Sequence, residues 1–168
     1  MPEQDEVYSS KLSYDGIFNF KDFYSFCYDW LSENAGLSLE ESEYSEKISG
    51  SAKEIAFKWK GTRNVTDYFK YEVKIGFSIR NLSEIEVNQG GAKLKSNKGK
   101  VEIKVTANLI RDYDSKFETS ARMKLWRGIY EKWIISQRVG EFEDKLSGLA
   151  DDFLSQAKSF LDLENAGK

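Results

Sequence analysis

Twenty-eight Asp and Glu side chains, one cysteine and no histidine define the reactive groups of this 168-residue chain. Histidine is the usual general base near neutral pH and the commonest metal ligand. Its absence removes Ser-His and Cys-His nucleophile pairs, His-zinc sites and His-based pH switches. Cys27 alone can form neither an intrachain disulfide nor a thiolate zinc site. Its setting, Phe23-Tyr24-Ser25-Phe26-Cys27-Tyr28-Asp29-Trp30, supplies no base that would lower its pKa. A buried structural thiol is the expectation.

The remaining short patterns each lack a part their chemistry needs. Asp112-x-Asp114-x-Lys116 opens like a calcium loop, but Phe117 stands where glycine is required and Met123 where a bidentate glutamate is required. Gly90-Gly91 and Gly99-Lys100 do not have the spacing of a phosphate loop, and both read as hairpin turns. Ser155-x-x-Lys158 matches Ser-Lys nucleophile spacing, on the polar side of a helix without an oxyanion hole. Acid pairs at Glu84/Glu86, Glu141/Glu143 and Asp151/Asp152 are expected by chance in so acidic a chain. No catalytic, cofactor-binding or metal-binding residue is assigned from the sequence, and the chain is read as non-enzymatic.

Charge is segregated along the chain. Residues 53–111 carry thirteen Lys/Arg against six Asp/Glu, whereas residues 1–52 carry three against eleven. Within the basic third the hydrophobic period is two. Ile55, Phe57 and Trp59 alternate with polar residues, and Phe69 to Arg80 alternate strictly, with apolar side chains at odd positions. Ile85 and Val87 suggest a short third strand ended by Gln89-Gly90-Gly91, and Leu94 a fourth. Asn97-Lys98-Gly99 reads as a tight turn before a last strand carrying Val101, Ile103, Val105, Ala107 and Leu109. Alternation then projects Lys58, Lys60, Lys74, Arg80 and Lys104 from the face opposite the core. These are the candidate partner-binding residues, for nucleic acid phosphates or for an acidic protein surface. Against nucleic acid stand the absence of aromatic residues at these positions and a pI near 5.2.

The flanks supply the elements that hold such a sheet. Residues 1–15 read as weakly ordered or as a short edge strand. Asn19 is placed to cap a helix over residues 19–34 whose buried face is Phe20, Phe23, Cys27, Trp30 and Leu31. Residues 37–50, acidic and serine-rich, read as a connector or a short solvated helix. Period 3.6 returns over residues 118–163, with a stripe of Met123, Trp126, Tyr130 and Trp133. A bend is expected near Val139-Gly140, because glycine weakens a helix. The second stripe contains Val139, Phe142, Leu146, Leu149, Phe153 and Phe160 in near-heptad spacing, and its candidate role is self-association.

Together these predict a single α+β domain spanning residues 1–168. It is an antiparallel meander of about five strands, with an N-terminal helix and a long helical C-terminal segment packed on one face. With a strand over residues 7–14, the element order resembles that of the helix-grip, or START-like, family. That resemblance implies an apolar ligand cavity between sheet and helix. The function expected first is a protein-interaction or assembly module with a protein partner or a second copy. A hydrophobic-ligand binder and a nucleic-acid binder are the alternatives. The acidic, polar start of the chain and the lack of a run of ~20 apolar residues predict a cytoplasmic protein with no membrane association.

Overall fold

The computed structural model describes residues 3–111 and 136–166, together with Tyr113, Arg122, Leu125, Trp126 and Ile129. The calcium-like pattern at 112–116, most of the first C-terminal stripe and part of the helical segment expected over 118–163 lie outside the described residues.

Five strands form one antiparallel sheet in the order β1-β5-β4-β3-β2. They are β1 (Glu3–Phe18), β2 (Ser38–Ser49), β3 (Ala52–Asn64), β4 (Phe69–Gln89) and β5 (Ala92–Arg111). Helix α1 (Phe20–Asp29) follows β1, and helix α2 (Ser136–Ala166) ends the chain. The α+β class, the antiparallel sheet and the two flanking helices agree with the sequence reading.

Four local readings are corrected. Residues 37–50 are not a connector or helix: they contain β2, paired with β3 from Ser38↔Thr62 to Ser49↔Ala52. The period of two was hidden because a bulge between Glu41 and Glu43 resets it, leaving Leu39 and Tyr44 on one face at an odd spacing. The strands expected at Ile85 and Leu94 are not separate elements but the far ends of β4 and β5, which pair continuously to the turn at Gly90-Gly91. Asn97-Lys98-Gly99 is not a turn. It runs straight through β5, with Asn97 opposite Phe18 of β1 and Glu84 of β4. Gly99 serves close packing there, because a Cβ would stand 3.1 Å from the Arg80 carbonyl oxygen and from Leu82 Cα. Those atoms belong to a bulge in β4 where Asn81 takes a φ of 54°, a conformation asparagine tolerates better than most residues. Finally, β1 is a full sixteen-residue edge strand, not a weakly ordered segment.

The helices cover one face of the sheet. Asn19 caps α1 by accepting from the Asp22 amide at 3.0 Å. The helix continues as a π turn over Trp30–Asn34 and stops at Gly36, whose φ is +67°. Phe23 packs edge-on against Phe18 and Phe77, and Tyr24 against Trp59. Helix α2 lies alongside α1 through the stacked Phe26–Phe160 pair and the Trp30–Phe153 contact. It runs through Val139-Gly140 and Gly148 as one continuous helix. Tyr8 and Tyr14 of β1 fasten it, donating to Asp151 Oδ1 and to the Leu161 carbonyl. Cys27 is fully buried, and burial pushes its thiol well above the ordinary value. No helix among the described residues is long and apolar enough to cross a membrane.

Candidate partner-binding face of the sheet

The opposite face of the sheet is exposed at Lys58, Lys60, Lys74 and Lys104, while Glu72 and Asn108 are buried toward one end of it. Strand alternation puts Phe57, Trp59, Val73, Ile75, Phe77, Ile103 and Val105 under the helices, all at most 4% exposed. Their neighbours in sequence therefore point outward. Register arranges these neighbours in rows across the sheet. One row reads Lys11, Lys104, Gly76, Lys58 from β1 through β5 and β4 to β3. The next row, two residues along, reads Ser9, Thr106, Lys74, Lys60. On the other side lie Ser13, Glu102, Ser78 and Ala56, so the floor beyond the lysines is made mostly of small side chains.

Gly76 sits at the centre of this arrangement. A Cβ built on it would meet Lys58 Cγ at 4.0 Å and nothing nearer. The missing side chain opens a shallow depression of about 700 Å³, bordered by Lys11, Lys58, Lys104, Glu102 and Ser78. A second depression of about 460 Å³ adjoins it and is bordered by Lys58, Lys60, Lys74, Lys104 and Thr106. Four of the five residues singled out from the sequence, Lys58, Lys60, Lys74 and Lys104, thus come together around one gap. Arg80 shares the face but lies beyond Ser78, opposite Lys100. Lys11 was missed, because only the β1–β5 register brings it beside Lys104.

Carboxylates thread through the lysines. Glu72, 7% exposed, stands 3.6 Å from both Lys60 and Lys74, which oppose each other across β3 and β4. Glu43 pairs with Lys58 at 3.6 Å. Glu102 pairs with Lys11, whose hydrogen bond holds the Glu102 carboxyl below its usual range. Lys104 has no ion pair among the described residues. It stands between Lys11 and the Gly76 gap with its charge uncompensated. The face is thus mixed in sign, with a positive centre. No aromatic side chain projects from these rows.

The second set of candidate residues has a different surrounding. Phe142, Leu146 and Phe153 are buried against the chain's own sheet and α1, and Val139, Leu149 and Phe160 pack half-buried against the same core. Phe142 touches Phe69, and its carbonyl accepts from the Tyr71 hydroxyl at 3.2 Å. The stripe is covered within the protomer.

Among the described residues no group of three or more Asp, Glu or Cys side chains converges as a metal site would. No family model matches the sequence, and no curated protein matches it.

Proposed function

We propose that the chain is a non-enzymatic interaction module that docks an acidic protein segment on the outer face of its sheet. The observation that carries this reading is the Gly76 gap ringed by Lys11, Lys58 and Lys104. A partner carboxylate entering the gap would meet the uncompensated charge of Lys104 with two further lysines in reach. Complementary charge of this kind sets specificity and association rate more than raw affinity.

Two features favour protein over nucleic acid. Glu43, Glu72 and Glu102 stand among the lysines and oppose a continuous phosphate backbone, whereas a protein surface can set cations against them. The rows also lack the aromatic platforms on which bases stack. A hydrophobic-ligand reading is less well supported, because Phe23, Tyr24, Phe57, Trp59 and Phe77 pack ring on ring in the space between α1 and the sheet. A cytoplasmic setting belongs to the same proposal and accords with a lone, buried thiol.

Fluorescence anisotropy with labelled acidic peptides and with labelled DNA and RNA, at low and moderate salt, tests it. The expected result is peptide binding that Lys104→Glu abolishes and that Gly76→Leu weakens by filling the gap. Tighter, steeply salt-dependent binding of nucleic acid would replace this reading with the nucleic-acid one. Binding of neither probe would remove both.

A further inference from the structure

We infer that the protein assembles head to tail, the basic tip of the β4–β5 hairpin of one copy adding as a strand to the acidic β2 edge of the next. Its contact residues are those of the β4–β5 tip and the β2 edge, of which Glu43, the partner of Lys58, also borders the Gly76 face.

Both partners of the contact are open sheet edges. Strand β2 is last in the sheet order, so one side of its backbone has no strand partner among the described residues. It is exposed along almost its whole length. Beyond the bulge it runs regularly over residues 43–49 and presents Tyr44, 47% exposed, and Ile48, 71% exposed. The second edge lies at the hairpin. Strand β1 pairs with β5 only as far as Phe18 opposite Asn97. Residues 92–96 therefore have β4 on one side and no strand among the described residues on the other. This stretch, Ala92-Lys93-Leu94-Lys95-Ser96, alternates as a strand does, and Leu94 is 45% exposed.

Unpaired edges template strand addition unless charge or shape prevents it. The charges here discriminate among pairings. Two β2 edges together would bring Glu40, Glu43 and Glu46 of each copy against a single Lys47 from each. Two hairpin tips would set Lys93 and Lys95 against theirs. The free edge of β1 carries Asp5, Glu6 and Asp15, and is as acidic as β2. The basic tip meets opposite charge at either acidic edge, β1 or β2, and of the two only β2 displays large exposed apolar side chains, Tyr44 and Ile48, to receive Leu94. Placing Leu94 on the face of Tyr44 and Glu46 puts Lys93 and Lys95 on the face of Glu43, which also carries Lys47. Because the two surfaces differ, the contact is heterologous, and it propagates unless the rotation closes a ring. A five-residue strand addition makes a small interface, so the assembly is weak and concentration-dependent.

Sedimentation velocity over a range of concentrations tests the inference. Wild-type protein is expected to gain mass with concentration, without stopping at a dimer, and to lose it as salt rises. The variants Lys93→Glu/Lys95→Glu and Glu43→Lys/Glu46→Lys, each checked for native circular dichroism, should sediment as monomers. An equimolar mixture of the two should regain assembly, because every tip then finds an edge of opposite charge. A wild-type chain that stays monomeric at every concentration overturns the inference. So does assembly that survives either charge reversal, or a mixture that stays monomeric. The tip variant leaves the acidic-peptide binding proposed for the Gly76 face unaltered, and failure of that binding would leave assembly intact; the Glu43 variant, which frees Lys58, is read for assembly alone.

Discussion

The indole Nε1 of Trp59 donates to Glu41 Oε2 at 3.1 Å, and this bond joins an acidic edge strand to the centre of the core. Trp59 is 1% exposed, and its N–H has to be satisfied inside the fold. The same carboxylate oxygen accepts from the Tyr24 hydroxyl of α1 at 2.7 Å. One side chain of β2 thus ties together β3 and α1. Replacing Glu41 by Ala should destabilise the protein by about 1–3 kcal/mol, the usual penalty for an orphaned buried donor. Glu41→Gln keeps an acceptor and should cost less. Urea unfolding of the three proteins checks the order; equal midpoints would show that the bond is not made in solution.

The same contact shifts a titration. Burial, and then the hydrogen bond to Glu41, push the Tyr24 hydroxyl up to about 12 from its usual 10.0. A folded-state value above the unfolded one favours the protonated form. Its contribution is complete below the unfolded value and is lost as pH rises through the folded one. Stability should therefore fall between pH 10 and about 12, and Glu41→Gln should move the Tyr24 titration downward. Ultraviolet difference titration of wild type, Tyr24→Phe and Glu41→Gln reads this directly. An unchanged profile in Tyr24→Phe would assign the high titration to another tyrosine.

The two faces of β4 should respond in opposite ways to truncation. Ile75 is 1% exposed, and Ile75→Ala should cost about 2–5 kcal/mol through lost burial and a residual cavity. Lys74 is more than half exposed, and Lys74→Ala should change stability by no more than about 0.5 kcal/mol, its contact with Glu72 being largely screened. Denaturant midpoints measure both. Equal losses would mean that the outer face is covered.

Helix α2 carries two glycines that its packing does not require. A Cβ at Gly140 or Gly148 would meet nothing within 4 Å. Gly140→Ala and Gly148→Ala should each stabilise the protein by about 0.5–1 kcal/mol, mostly by restricting the unfolded chain. Calorimetry should show a raised melting temperature for each, adding in the double variant because the sites are two turns apart. A drop would reveal a close neighbour at the glycine concerned.

Local period and local caps were legible in the sequence. Strict alternation from Phe69 to Arg80 marked β4 and its buried face, and Asn19 followed by the Phe23-Cys27-Leu31 spacing marked α1, because such patterns reflect one-sided burial within a single element. The missing histidine and the lone cysteine bounded the chemistry in the same direct way. Strand β2 was not legible, since both its faces are largely exposed and its bulge breaks the period at Ser42. Gly99 was read as a turn because glycine suits turns, while its actual demand, the close approach of the Arg80–Leu82 backbone, comes from a strand distant in sequence. Tertiary structure alone decided which strands are neighbours. Only that register sets Lys11 beside Lys104 and leaves Gly76 empty between Lys104 and Lys58, and only α2 lying over β1 and β5 decides that the Phe142–Phe153 stripe is covered from within. Both are long-range pairings, and a period of two or 3.6 residues carries no information about its partner.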